Sequence, residues 1–437
     1  MENNTTEINI IYGINDKPKL SKSIPLAFQH ILAMFASNIT VPLLLSNALG
    51  LNSKETTFLI QCALFMAGIS TFIQISRKGK IGSGLPIVMG TSNAFIATVL
   101  AIGTQFGIEA VLGASLIGGL FEIFIALNLD RLKKIFTPLV SGIVVLSIGM
   151  TLIPVGIKQA AGGSGDIGSF KNLFISTTVL ITIIIFNQFG SKFTKSSSVL
   201  IGLVVGYILS IFMNLIDFSP VLEASWVSFP RPLAYKWVFE PSAIVAMVFM
   251  YIATSIETIG DISALTSASE GRDATPEELK GGVLADGVAS AIASFFNAFP
   301  NTSYTQNIGV VNLTGVFSRY VVKIGAIILL ILALLPKFAA IISIMPEAVL
   351  GGGTIAMFSM VMVSGLTLLK NIRFTSRNLL IIAISIGIGV GLNLVPEVTS
   401  QFSTNIQLFL TSGVVPASII AIVLNIVLPK DEIKGEV

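Results

Sequence analysis

The sequence predicts an all-α polytopic membrane protein of fourteen transmembrane segments, arranged as two inverted repeats of seven. Three observations predict it. The 437 residues are 53% hydrophobic and 11% charged, far below the roughly 25% charge of a soluble chain, so lipid must be the solvent. Apolar runs of spanning length follow one another from end to end, with a persistent bias in the basic residues between them. Two polar stretches containing Gly and Pro interrupt the third and tenth runs at matching places in the two halves.

A helix needs roughly 20 apolar residues to cross the hydrocarbon, fewer if it is broken. Such runs lie at 24–47, 57–75, 85–103, 108–128, 138–157, 174–189, 198–216, 241–260, 281–297, 304–316, 320–344, 347–369, 378–394 and 404–428. The run 304–316 is too short to cross alone as a regular helix. Residues 1–23 form a polar tail with Glu2, Glu7 and Asp16, and place Lys17, Lys19 and Lys22 next to the membrane. The tail lacks the charged-then-apolar pattern of a cleavable signal peptide. Residues 429–437 form a second tail.

Cytoplasmic loops carry an excess of Lys and Arg. With the N-terminus inside, 20 of the 26 basic residues fall on the inner side, and only Lys54, Lys158, Lys171, Arg231, Lys236 and Lys337 fall outside. A wrong number of spans would scramble this alternation midway, so fourteen spans with both termini cytoplasmic satisfy it. Loop 261–280 is mixed, with five acidic and two basic residues. Within it, Thr275-Pro276-Glu277-Glu278 reads as a helix start with Pro in first position. The stretch 161–169, with its Gly and Ser, reads as a flexible outer loop.

Composition also excludes. One cysteine, Cys62, rules out an intrachain disulfide or Cys-based metal site, and one histidine rules out zinc sites built on several. No cofactor or metal is expected. The net charge of +3 gives no sign of a nucleic-acid partner.

The stretch from Phe299 to Gly309 packs amides, hydroxyls, Gly and Pro between two hydrophobic spans. Irregular backbone survives at bilayer depth only where it faces protein or a water-filled cavity. Such interruptions are the best sequence pointer to a transporter's binding site. Pro86-Ile87-Val88-Met89-Gly90-Thr91-Ser92-Asn93 is its echo half a chain earlier. An odd number of spans separates the two, so they enter from opposite sides, as an inverted repeat requires.

Charges at bilayer depth are rare and usually functional. Glu257 lies near the inner end of the eighth span, Asp286 in the ninth, and Glu122 in the fourth among Phe, Ile and Leu. Each could take up and release a proton, or pair structurally with hydroxyls and helix ends. Gln306-Asn307 offers amides that donate and accept together, suiting a planar heterocycle, or equally the bonding of one helix to another. His30, after Gln29, is more readily a structural hydrogen-bonding group than a relay. Ser37 lies two turns further along its face. Gly351-Gly352-Gly353 lacks the strand and Lys-Ser/Thr of a phosphate cradle and reads as close helix packing.

Together these residues resemble the nucleobase–ascorbate transporter family, also called nucleobase:cation symporter-2. Its tenth-span signature, Gln/Glu-Asn-x-Gly-x4-Thr, matches Gln306-Asn307-Ile308-Gly309 through Thr314. Its Gln-His pair matches Gln29-His30, its Glu-Thr-x-Gly-Asp matches Glu257 to Asp261, and its Ala-Asp-Gly matches Ala285-Asp286-Gly287. The resemblance implies a core domain of about 24–130 and 241–344, and a gate domain of about 131–240 and 345–428 that also forms a homodimer. It implies short extended stretches in the third and tenth spans, with the substrate between them. Carried over, Glu257 and Gln306 would bind a base, with Asn307, Thr305 and backbone N–H groups of Tyr304 to Gln306 adding contacts. Ser37, Ser92 and Asn93 would line the pocket, while His30, Asp261 and Asp286 would support it and couple the cation.

In the family, Glu at position 306 goes with uracil, whereas Gln suggests xanthine or urate. Thr314-Gly315 and Ser318-Arg319 look most like bacterial xanthine permeases. Ser92-Asn93 leaves urate, or both purines, open. The expectation is a xanthine importer of the cell membrane driven by proton symport, with sodium as the other coupling ion. An anion exchanger or channel would want a basic residue at 86–98 or 300–314, which contain none. An enzyme would need a nucleophile–base pair or metal site, and a receptor would not need paired broken helices.

Overall fold

A computed structural model describes residues 10–77, 79–132, 137–163, 166–370 and 372–429. The tail residues 1–9 and 430–437, and positions 78, 133–136, 164–165 and 371, lie outside the described residues. Parts of both expected tails, of the loop 161–169 and of the basic set (Lys78, Lys133, Lys134, Lys430, Lys434) fall among them.

The first half contains α1 (Leu20–Leu49), α2 (Ser53–Ser76), the strand β1 (Met89–Thr91), α3 (Ile96–Phe106) and α4 (Ile108–Leu127). It continues with α5 (Pro138–Ala160), α6 (Phe170–Phe189) and α7 (Ser198–Phe212). The second half repeats that order. It runs α8 (Pro241–Glu270), α9 (Pro276–Phe295), the strand β2 (Asn301–Ser303), α10 (Thr305–Thr314), α11 (Arg319–Ala333) and α12 (Pro336–Ser343). Then come α13 (Glu347–Lys370), α14 (Ser376–Leu394), α15 (Thr404–Thr411) and α16 (Val414–Val427). A helix therefore stands at each of the fourteen expected runs. Among the described residues, eight helices are individually long and apolar enough to cross a bilayer, or nine with α11 and α12 as one broken span.

Several boundaries differ from expectation, each for a local reason. The helix expected over 241–260 continues to Glu270, because Gly260 does not interrupt it; Gly271, at φ 63°, ends it in the left-handed conformation that glycine adopts freely. Asp261 therefore sits inside a helix rather than in a loop. The next helix starts as expected: Thr275 and Glu278 form a reciprocal capping box ahead of Pro276. The run 320–344 is bent by 81° between α11 and α12, where Pro336 opens a new helix. Part of the expected N-terminal tail is ordered: Ile11 N–H bonds Gly315 O at 2.8 Å, and Phe317 N–H bonds Tyr12 O at 2.8 Å.

The strands join the halves. β1 and β2 pair antiparallel, with Met89 opposite Ser303, Gly90 opposite Thr302 and Thr91 opposite Asn301. Around them α4 packs on α9 and α2 on α11, while α5 lies along α13. That last contact depends on the expected glycines. A Cβ on Gly351 would meet Ala160 N at 2.1 Å, and one on the neighbouring Gly352 would meet Ser176 O of α6 at 2.5 Å on another side of α13. Helices approach this closely in membranes where small residues let backbones touch.

Gly351→Ala is expected to destabilise the protein by about 1–3 kcal/mol through overpacking. Heating detergent-extracted protein before size-exclusion chromatography should show a lower midpoint than wild type. Gly391→Ala, whose Cβ would meet nothing within 4 Å, should leave the midpoint unchanged. Equal midpoints for both variants would refute the packing account.

Candidate substrate site

Unwinding two helices inside the bilayer exposes backbone groups that must find partners. The ribbon supplies them. Ser92 N–H extends it by bonding Pro300 O at 2.8 Å, and Tyr304 N–H bonds Val88 O at 3.1 Å. Tyr304 Oη closes over it, donating to Thr91 O at 2.6 Å. Side chains from neighbouring helices take up the remainder. Thr91 N–H donates to Asn38 Oδ1 at 2.8 Å, Met89 N–H to Thr71 Oγ1 at 3.0 Å, and Asn301 N–H to Ser290 Oγ at 3.0 Å.

Two half-helices lead away from this crossing: a short turn at Asn93–Phe95 running into α3, and α10. Neither has a side chain capping its first turn. Their starts therefore leave N–H donors available to a ligand. Tyr304 N–H, expected among those donors, is instead held by Val88, so the available pair at α10 is Thr305 and Gln306.

The three carboxylates expected to act sort by their partners. Asp261 accepts from Ser303 Oγ at 3.1 Å and Thr305 Oγ1 at 2.8 Å. Asp286 Oδ2 accepts from Thr258 and, at 3.2 Å, from Thr302 Oγ1. Both carboxylates thus hold the β2–α10 segment against α8 and α9. Asp286 Oδ1 is buried without a partner, as is Glu257 Oε2; Glu257, one helical turn before Asp261, differs in making no side-chain hydrogen bond at all among the described residues. It lines a cavity with Gln306, Ser92, Asn93, Tyr304 and Thr305, and with Ile148 and Val361 as apolar members of the lining. Gln306 is half-buried and makes no side-chain hydrogen bond among the described residues.

Ser92 Oγ and Asn93 Oδ1 are likewise buried without partners. Asn93 Nδ2 donates to Ser37 Oγ at 2.9 Å, and Ser37 in turn donates to Met357 Sδ at 3.3 Å, so Ser37 stands behind Asn93. Asn307 has a different task from the expected substrate contact. Its Oδ1 lies 2.6 Å from His30 Nδ1, and its Nδ2 donates to Pro86 O at 2.7 Å. Both ends of the amide are engaged, tying α10 to α1 and to the approach of β1. Glu122 stands apart from the cavity and accepts from Ser255 Oγ at 3.1 Å.

Supporting residues that no sequence motif singled out are Asn38, Thr71 and Ser290. Their signal was a polar side chain at bilayer depth, one that single hydroxyls and amides in helices do not distinguish from local bonding to their own turn.

The cavity beside Glu257 has a volume of about 20 Å³, room for roughly one water. Through Glu257 and Thr305 it adjoins a cavity of about 370 Å³ lined by Asp261, Gly309 and Ser364. Gly260, Ala264 and Leu368 connect that space with a vestibule of about 980 Å³, which reaches Thr137, Asp273, Arg377 and Asn425. All four lie at the end that the basic-residue bias assigns to the cytoplasm.

Residues 21–398 match the profile of the Permease family. The chain is 37% identical to the xanthine permease of Bacillus subtilis (strain 168), over 93% of each protein. It is 36% identical to the uric acid permease PucJ of the same organism, over 94% of this chain and 93% of that one. In fold it is similar to the transmembrane domain of a cyanobacterium bicarbonate transporter, BicA, with a TM-score of 0.60 at 15% identity, covering 94% of this chain and 98% of that one. That likeness carries the seven-plus-seven inverted-repeat fold.

Asn307→Ala should destabilise the protein by about 1–3 kcal/mol, because it leaves His30 and Pro86 O buried without their partner. Gln306→Ala should stay within about 0.5 kcal/mol of wild type in stability and still lose transport. Thermal midpoints and uptake measured on the same preparations test this. The reverse order of midpoints would sink the division of labour between the two amides.

Proposed function

The chain belongs to the Permease family, the nucleobase–ascorbate transporters, as a multi-pass membrane carrier of purine bases rather than an enzyme, and we propose that it imports xanthine by proton symport. The observation that carries the reading is Glu257, its Oε2 unpartnered, on a cavity shared with Gln306. A carboxyl and a primary amide together read alternating N–H and C=O groups on one edge of a flat heterocycle. Ile148 and Val361 offer apolar walls to its faces. The N–H groups of Thr305 and Gln306 add donors for a carbonyl of the base.

Protonated Glu257 both donates and accepts, so one group would couple the proton to the base. Asp261 and Asp286 hold the segment that carries Gln306, and His30 orients Asn307, which supports the coupling without contact to the base. The core, about 24–130 and 241–344, would carry the site past the gate, about 131–240 and 345–428. The gate would also form the homodimer. Fourteen crossings would put both termini in the cytoplasm. The run of cavities from Glu257 toward that side corresponds to an inward-facing state.

A second reading, a uric acid or dual carrier, is favoured by the uric acid relative's near-equal identity and by the unpartnered Ser92 and Asn93, which would face the five-membered ring. Coupling to sodium is the other alternative for the ion. An anion exchanger or channel is disfavoured: the described residues lining the cavity include no Lys or Arg.

Uptake of radiolabelled xanthine into energised cells lacking their own purine permeases should saturate and collapse with a proton uncoupler. Unlabelled uracil should not compete, and competition by urate would move the specificity to the second reading. Glu257→Gln should abolish accumulation against a gradient. Full proton-coupled accumulation by that variant would remove Glu257 from the coupling role.

A further inference from the structure

Between α7 and α8 the chain crosses the outer end of the molecule as a strap over residues 221–238. It follows the helices of the gate in sequence, yet its bonds run to the other group. Ser228 N–H donates to Leu334 O at 3.1 Å beyond α11, and Val238 N–H to Glu109 O at 3.1 Å on α4. Phe229 meets Phe65 of α2 edge-on at 5.2 Å. At Gly113 the backbones touch: a Cβ there would sit 2.1 Å from Val238 O.

The strap's midpoint is held by one side chain. Asn297 Oδ1 accepts from Tyr235 N–H at 2.9 Å, and its Nδ2 donates to Arg231 O at 2.8 Å. Leu233 N–H bonds Phe295 O at 2.9 Å alongside. Asn297 is fully buried and adopts φ 57°, a left-handed conformation that Asn and Gly tolerate best. It closes α9 and stands three residues before Pro300, whose carbonyl is already part of the ribbon through Ser92 N–H. The clasp on the strap and the ribbon carrying the half-helix are therefore two ends of one short, buried, hydrogen-bonded segment.

We propose that Asn297 is a positioning residue for the substrate site: by clasping the outer strap it fixes the lead-in to β2, and with it the angle at which α10 presents Gln306. The proposal rests on the reading of Gln306 as a substrate contact. The strap then moves with the broken helix as one body. The turn at 213–217, where Asn214 has φ 54°, is the joint between strap and gate.

The test uses three variants at matched membrane levels, with xanthine and urate uptake kinetics and trypsin cleavage at the exposed Lys236 in right-side-out membranes. Asn297→Gly keeps the backbone conformation and removes both bonds. It should raise KM by about threefold to tenfold with a smaller change in maximal rate, and speed cleavage at Lys236. Asn297→Ala adds backbone strain and should be worse on both readouts. Asn297→Asp keeps the acceptor for Tyr235 and should fall between wild type and Asn297→Gly. Wild-type kinetics in Asn297→Gly would overturn the proposal, even if cleavage quickened, because the strap would then be anchored without positioning anything. Unchanged cleavage would remove the clasp itself. Wild-type membranes that take up neither purine would instead sink the proposed substrate, and Lys236 cleavage would still decide whether Asn297 holds the strap.

Discussion

Everything else in this structure depends on the pairing of three residues with three others at bilayer depth, Met89–Thr91 with Asn301–Ser303. A broken helix in hydrocarbon leaves peptide groups that neither water nor lipid can satisfy. Two broken helices solve the problem for each other. An antiparallel ribbon also forces the two segments to enter from opposite sides, and it brings the starts of their half-helices to one place. The inverted repeat and the proposed ligand site therefore share one physical basis.

The ribbon also explains why so many hydroxyls and carboxylates gather around it. Three residues per strand make a weak ladder by themselves, so Asn38, Thr71 and Ser290 complete it from outside, and Asp261 and Asp286 hold the side chains of Thr302, Ser303 and Thr305. Two acidic residues thereby bond to the ribbon, Asp286 through Oδ2 alone. Glu257, a turn from Asp261 on the same helix, has no side-chain hydrogen bond among the described residues, and its Oε2 is buried. Buried polar groups are nearly always paired, so an unpaired one facing a cavity marks where a ligand's complementary group would complete the set. The glycine-lined contact of α5 with α13 has the opposite character: at Gly351 and Gly365 two backbones approach so closely that no side chain fits between them.

Much of this was legible in the residues. Low charge and repeated apolar runs report the solvent, and Pro86–Asn93 and Phe299–Gly309 could only be interruptions, because their polarity contradicts their surroundings. Glu257 and Asp286 stood out for the same reason. Less legible were Gly260, which α8 passes through, and the bend before Pro336, since helix ends depend on what each turn packs against. The amide of Asn307 could not be read either. Its type suits a substrate as well as a neighbour, and only the approach of His30 and Pro86, both more than 200 residues away in sequence, decides between them.

The sequence by itself thus determined the solvent, the approximate positions of the helical runs, the two breaks and the residue types available for chemistry. Each of these is a property of a local window, read from composition or period along one dimension. Tertiary structure alone decided which of those groups remain free: it paired Tyr304 N–H with Val88, placed Ser37 behind Asn93, gave Asp261 and Asp286 to the ribbon, and left Glu257 and Gln306 facing a shared space. A hydrogen bond is set by direction over about 3 Å, and no spacing along the chain encodes the direction in which a partner half a sequence away will arrive.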